Sequence, residues 1–139
     1  MSIFSDLSYE QLAAGPPQDA NWVKSPSGGF YPLLNLDPEE AGLTGVSAVY
    51  IIWHAGMRPK WVYVGRAKDL AKALHDLAGN DEIMDREIHG GLFVTWSLVR
   101  EEFQDGVVSY LIENLEILVD NPEARRNKDL PIPVVIPGN

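Results

Sequence analysis

The chain contains no cysteine, which excludes disulfides and thiolate metal sites. It has no apolar run near the roughly 20 residues that a membrane-spanning helix needs. Asp6 and Glu10 also interrupt the stretch where a signal peptide would place its apolar segment. The expectation is a cytoplasmic protein with no membrane partner. Basic residues are scarce: 11 Lys and Arg stand against 20 Asp and Glu, a net charge of −9. That balance opposes a general nucleic-acid binder, because phosphate contacts need clustered cations. Several catalytic signatures are missing too. Gly65 is followed by Arg66-Ala67-Lys68 rather than by further glycines, so there is no phosphate-cradling loop. There is no nucleophile elbow and no zinc-ligand pair, and His54, His75 and His89 lack metal-ligand spacing.

What is present fits one compact core. At 139 residues, with 45% hydrophobic and 22% charged residues, the chain has the size and composition of a single globular domain. Ser8-Tyr9-Glu10-Gln11 reads as a capping box ahead of a short helix that Gly15-Pro16-Pro17 ends. That helix lies in an extension over residues 1–45 whose turn-rich remainder, to about Gly45, carries Trp22, Phe30, Tyr31, Leu33 and Leu34, enough apolar bulk to predict packing on the main domain. Asp37-Pro38-Glu39-Glu40 reads as one capped turn. The run from Val49 to Trp53 predicts a strand covered on both faces, and Trp61 to Val64 its hairpin partner. Asp69 caps a helix to about Leu77, and Asn80-Asp81-Glu82 opens a second short one that stops at Gly90-Gly91. Leu92 to Val99 predicts a third strand. Val107, Val108, Leu111, Ile112, Leu115, Leu118 and Val119 predict a final helix from about Glu102 to Asp120. Pro131, Pro133 and Pro137 keep the tail at 129–139 extended. The resulting expectation is an α+β domain over 46–128: a small three-stranded, mostly antiparallel sheet flanked by helices.

The strongest local pattern is Ala48-Val49-Tyr50-Ile51-Ile52, then Trp61-Val62-Tyr63-Val64-Gly65, then Asp69-Leu70 opening a helix. Two phenols on paired strands, with a glycine beside one, can hold a small polar group. This arrangement resembles the GIY-YIG nuclease superfamily over about Ser47 to Asn127. Glu113 and Pro122 stand at the family's spacing of metal-binding glutamate and proline, and Asn127 follows two places later than the usual asparagine. Where the family has an arginine on the first helix, this chain has Ala73, and Leu77 stands where histidine or tyrosine is usual. Asp69, Ala73, Asp76 and Leu77 share one helical face that carries no cation, so Arg66 is the nearby substitute.

The resemblance implies hydrolysis of a DNA phosphodiester with one divalent ion. Glu113 would hold Mg²⁺ or Mn²⁺, Tyr50 would serve or orient the base, Tyr63 would position phosphate or water, and Arg66 would stabilise the developing charge. Gly65, Lys68 and Lys72 would face the substrate. Loss of a preorganised charge-stabilising donor costs roughly 10²–10³ in rate, and arginine fingers are worth about 10³–10⁵. The implied protein is therefore a degenerate member, weak or inactive, used to recognise nucleic acid or protein. The alternatives are an active metal-dependent endonuclease relying on Arg66, and an acidic module that binds a basic protein partner.

Charge distribution bears on that choice. Residues 58–75 carry Arg58, Lys60, Arg66, Lys68 and Lys72 against Asp69, a net +4, whereas residues 76–120 sum to −9. The basic stretch overlaps the tyrosine motif, although a solvated hairpin surface is the commoner meaning of such a run. Each site residue has an equally simple structural reading: strand tyrosines packed by their rings, a solvated carboxylate at Glu113, an N-cap at Asp69.

Overall fold

The computed structural model describes Phe4 and residues 7–55 and 60–137. Its elements in chain order are α1 (Tyr9–Ala14), β1 (Tyr31–Pro32), β2 (Ala48–His54), β3 (Lys60–Ala67), α2 (Leu70–Ala78), α3 (Asp81–Met84), β4 (Leu92–Ser97), α4 (Glu101–Asn114) and α5 (Pro122–Arg126). The fold is α+β, and the sheet is antiparallel with four strands in the order β1-β4-β2-β3. Three strands were expected; the fourth is β1. It is only two residues long, and Tyr31 and Pro32 pair with Val94 and Phe93 at the edge of the sheet. An edge is where a proline is tolerated, and so short a pairing leaves no alternating pattern in the sequence.

Local capping explains several boundaries. Ser8 and Gln11 form the reciprocal capping box of α1. The Asp69 carboxylate accepts from the amides of Gly45 and Lys72, so it caps α2 and ties it to the preceding loop. Those two bonds hold its carboxyl below the usual range. Asn80 caps α3 through the Ile83 amide, and a 3₁₀ turn over Asp85–His89 ends at left-handed Gly90.

The central strand β2 is buried on both sides and divides the interior in two. Tyr50 and Ile52 face one half, with Leu70, Ala71, Leu74 and Leu77 of α2, Ile83 and Val119. Val49 and Ile51 face the other, with Val64, Val107, Val108 and Leu111, so α4 covers the side opposite α2. The tail and part of the extension belong to this second half, whereas Leu33 and Leu43 of the extension are buried in the first. Ala20, Ile132 and Val134 are buried in it, and Gln18 exchanges backbone bonds with Pro133 and Val135. Gly106 makes that closeness possible: a Cβ there would collide with the Tyr9 hydroxyl and the Ile132 side chain.

The final helix stops six residues earlier than the apolar spacing predicts. Beyond Asn114 the chain extends, pairs in parallel with Trp61 through Ile117, and donates from Leu118 and Val119 to the carbonyls of Trp61 and Val62. Leu115 and Ile117 pack on the α4 side, whereas Leu118 and Val119 pack on the α2 side. A strip that straddles the sheet edge needs apolar residues on both faces, which imitates the broad stripe of a buried helix.

Candidate functional site

Antiparallel register brings the two phenols together. Tyr50 pairs with Gly65 and Ile52 with Tyr63, so Tyr50 and Tyr63 are diagonal neighbours on the α2 side. Their ring centroids are 6.2 Å apart at an interplanar angle of 25°. Tyr50 is 5% exposed, and Tyr63 is half-buried. Gly65 is required beneath them: a Cβ at this position would lie 2.7 Å from the Tyr50 hydroxyl and 2.9 Å from Asn121 Nδ2. Asn121 stands immediately before Pro122 and donates to the Val64 carbonyl at 3.0 Å, which fixes its amide over the glycine. The family spacing points to Pro122 and Asn127 in this stretch and not to Asn121, for which the position ahead of a proline at a helix start is the available signal.

The electrostatics of this hollow are acidic. Burial pushes the Tyr50 phenol far above its ordinary range, and Tyr63, Glu123 and Asp76 push in the same direction. Tyr63 is also raised, first by burial and then by Glu123 and Asp120. Both phenols therefore remain protonated at neutral pH and offer hydroxyl hydrogens rather than a base. Ala73, half-buried against the same half of the core, occupies the helix face that the sequence assigned to it and supplies only a methyl group.

The other site residues lie elsewhere. Arg66 pairs with Val49 across the strands and projects to the α4 side, where its Nε meets Asp105 Oδ1 at 3.2 Å. Alternation decides this, because neighbours on a strand face opposite ways and Gly65 faces the tyrosines. Glu113 is exposed in the last turn of α4, the helix on the opposite side of the sheet, and is not among the carboxylates that act on either phenol. Asn127 donates to the Asp105 carbonyl, again on the α4 side. Lys68 is exposed, and Lys72 is drawn to Asp76 at 3.1 Å along the surface of α2. The basic stretch is thus not one patch: Lys60 and Arg66 stand at opposite ends of β3, roughly 20 Å apart, and Arg58 lies outside the described residues.

The residues named for Mg²⁺ or Mn²⁺ do not assemble. Glu113 is separated from the tyrosines by the sheet, and among the described residues no three carboxylates or imidazoles come together as a metal-holding group. Nor is any helix among them long and apolar enough to cross a membrane. In comparisons with known proteins, no family model, no curated protein and no solved structure matches this chain. The likeness to the GIY-YIG superfamily therefore rests on Tyr50, Tyr63, Gly65 and the strand-strand-helix order around them.

Proposed function

We propose that the chain is a GIY-YIG-like domain that recognises a partner and does not cleave phosphodiesters. The observation that carries this reading is the composition of the tyrosine hollow. Asp76, Asp120 and Glu123 act on the two phenols, and the substitute cation Arg66 is engaged by Asp105 on the far side of the sheet. A phosphodiester is anionic, and its transition state gathers further negative charge on the phosphoryl oxygens. Lys72 and Arg125 are engaged by Asp76 and Asp120 and do not meet that charge, and a protonated phenol cannot take the proton of an attacking water.

The test is incubation of the protein with plasmid and branched DNA in Mg²⁺ or Mn²⁺. The expected result is no turnover above a protein-free control, with Glu113→Ala and Arg66→Ala indistinguishable from the parent. Metal-dependent cleavage lost in both variants would instead establish the endonuclease that relies on Arg66.

A further inference from the structure

The tyrosine hollow contains polar groups that the fold itself leaves unused. Tyr50 is 5% exposed, yet its hydroxyl makes no hydrogen bond among the described residues. That oxygen is not one of the enclosed polar atoms of the interior, so it opens outward over Gly65. The pairing of β2 with β3 slips by one residue only beyond Ile52, at Trp53, which keeps Tyr63 on the same face. The Tyr63 hydroxyl is likewise without a hydrogen bond among the described residues, and its ring is half-buried. Asn121 is the N-cap residue of α5, a position where an asparagine side chain ordinarily bonds its own helix. Here it makes no such bond and turns its Nδ2 to the Val64 carbonyl instead. Its Oδ1 is thereby left as a free acceptor beside the Tyr50 hydroxyl.

Charge narrows what these groups can take. Of the three carboxylates that act on the phenols, Asp76 and Asp120 hold Lys72 and Arg125. The third, Glu123, is the one that acts on both phenols. It stands exposed in the first turn of α5, two residues beyond Asn121. Arg126, one turn further along that short helix, makes no ion pair with it. An anion entering the hollow would meet the Glu123 carboxylate. A neutral group would leave that charge unmatched.

We infer that the hollow receives one guanidinium group, the side chain of an arginine on a protein partner. Glu123 takes its charge, the Tyr50 hydroxyl and Asn121 Oδ1 accept its N–H groups, and the Tyr63 ring lies against its plane. The match is one of donors to acceptors. A guanidinium carries five N–H donors in one plane and no acceptor, and a protonated phenol keeps its lone pairs. The same planar cation stacks on an aromatic face, whereas an ammonium is a compact, strongly hydrated point charge. A chain of net charge −9 also draws a basic surface toward it. The inference rests on the recognition reading above and names the partner chemistry of that same hollow.

The test titrates the full isotope-labelled chain with N-acetylarginine amide, N-acetyllysine amide and N-acetylcitrulline amide in separate arms, and follows the Asn121 side-chain amide by NMR. Dispersed backbone amide signals report that each variant is folded. Arginine should shift the Asn121 signal and saturate at roughly millimolar concentration, the range open to a single side chain. Lysine should bind more weakly, and citrulline, which keeps the shape and lacks the charge, should not saturate. Glu123→Gln alters only an exposed carboxylate and should weaken arginine binding roughly 2–10-fold. Tyr63→Leu, which removes the ring, should weaken it about 2–5-fold. Glu101→Gln removes an equally exposed carboxylate from α4 and should change nothing. No shift at Asn121, citrulline or lysine binding as tightly as arginine, indifference to Glu123→Gln, or an equal loss in Glu101→Gln would each overturn the inference. The non-cleaving reading stands under every one of those results and falls only to metal-dependent cleavage.

Discussion

The two sides of β2 handle polar groups in opposite ways. On the α4 side the buried polar side chains among the described residues are matched. Gln104 donates to Ser47 Oγ and the Val99 carbonyl, Thr95 to the Val23 carbonyl, and Ser97 to the Ala20 carbonyl. Arg66 is likewise met there by Asp105. On the α2 side, the Tyr50 hydroxyl lies over Gly65 beside Asn121, and the nearby carboxylates Asp76 and Asp120 hold Lys72 and Arg125 at the exposed surface. The comparison teaches that the sheet segregates charge by strand alternation. Arg66, three residues after Tyr63, is delivered to the side where it cannot serve the tyrosines.

The largest expected effect tests whether the α4 side is the stability-bearing half. Leu111 is fully buried there, and Leu111→Ala should lower unfolding free energy by about 2–5 kcal/mol in urea titration. A loss below 1 kcal/mol would show that this half can collapse around the cavity. Next in size is Gly65→Ala, which strikes the α2 side alone. The added methyl group meets the Tyr50 hydroxyl, the Tyr50 ring and the Asn121 amide, each at 3.0 Å or less. Tyr50 is buried and Asn121 is tied to Val64, so neither yields freely, and about 1–3 kcal/mol of destabilisation is expected. Tyrosine fluorescence and near-ultraviolet dichroism should change with it.

The smallest effect is a pH dependence. In the unfolded chain Tyr50 ionises near the usual phenol value of about 10, whereas burial keeps it protonated well above that in the folded state. Above pH ~10 the unfolded state therefore binds fewer protons, and stability falls as pH rises through that value. Tyr50→Phe should flatten the part of the fall between pH 10 and 11.5 that is due to this residue, with little change at pH 7–9. A variant whose profile overlays the parent across the whole range would show that the Tyr50 phenol ionises alike in both states.

Much of this architecture was legible in sequence because its signals are local. Capping residues at Ser8, Asp69 and Asn80, the doubly apolar run of β2 and the breakers at Gly90-Gly91 each act within a few residues of where they stand. The capped turn at Asp37 is of the same kind, closed by the Glu40 amide on its carboxylate. The readings that failed required knowledge of what lies across space. The helix end at Asn114 depends on Trp61 and Val62 offering carbonyls to Leu118 and Val119. The fourth strand depends on β4 having a free edge. The pattern around the tyrosines was visible, but Asn121, Asp120 and Glu123 joined it from a loop and a short helix whose position no spacing encodes.

Because hydrogen-bonding and side-chain periodicity are properties of consecutive residues, the sequence by itself determined the strands β2, β3 and β4, the capped helices and that Tyr50 and Tyr63 fall on neighbouring strands, but not β1, α5 or the extended strip after Asn114. Only the tertiary structure decided which face each side chain serves. A single bulge at Trp53 and the crossing of residues 115–119 over the sheet edge set those directions. Both arise from contacts between residues far apart in the chain, where a shift of one position reverses a side chain from one side of the sheet to the other.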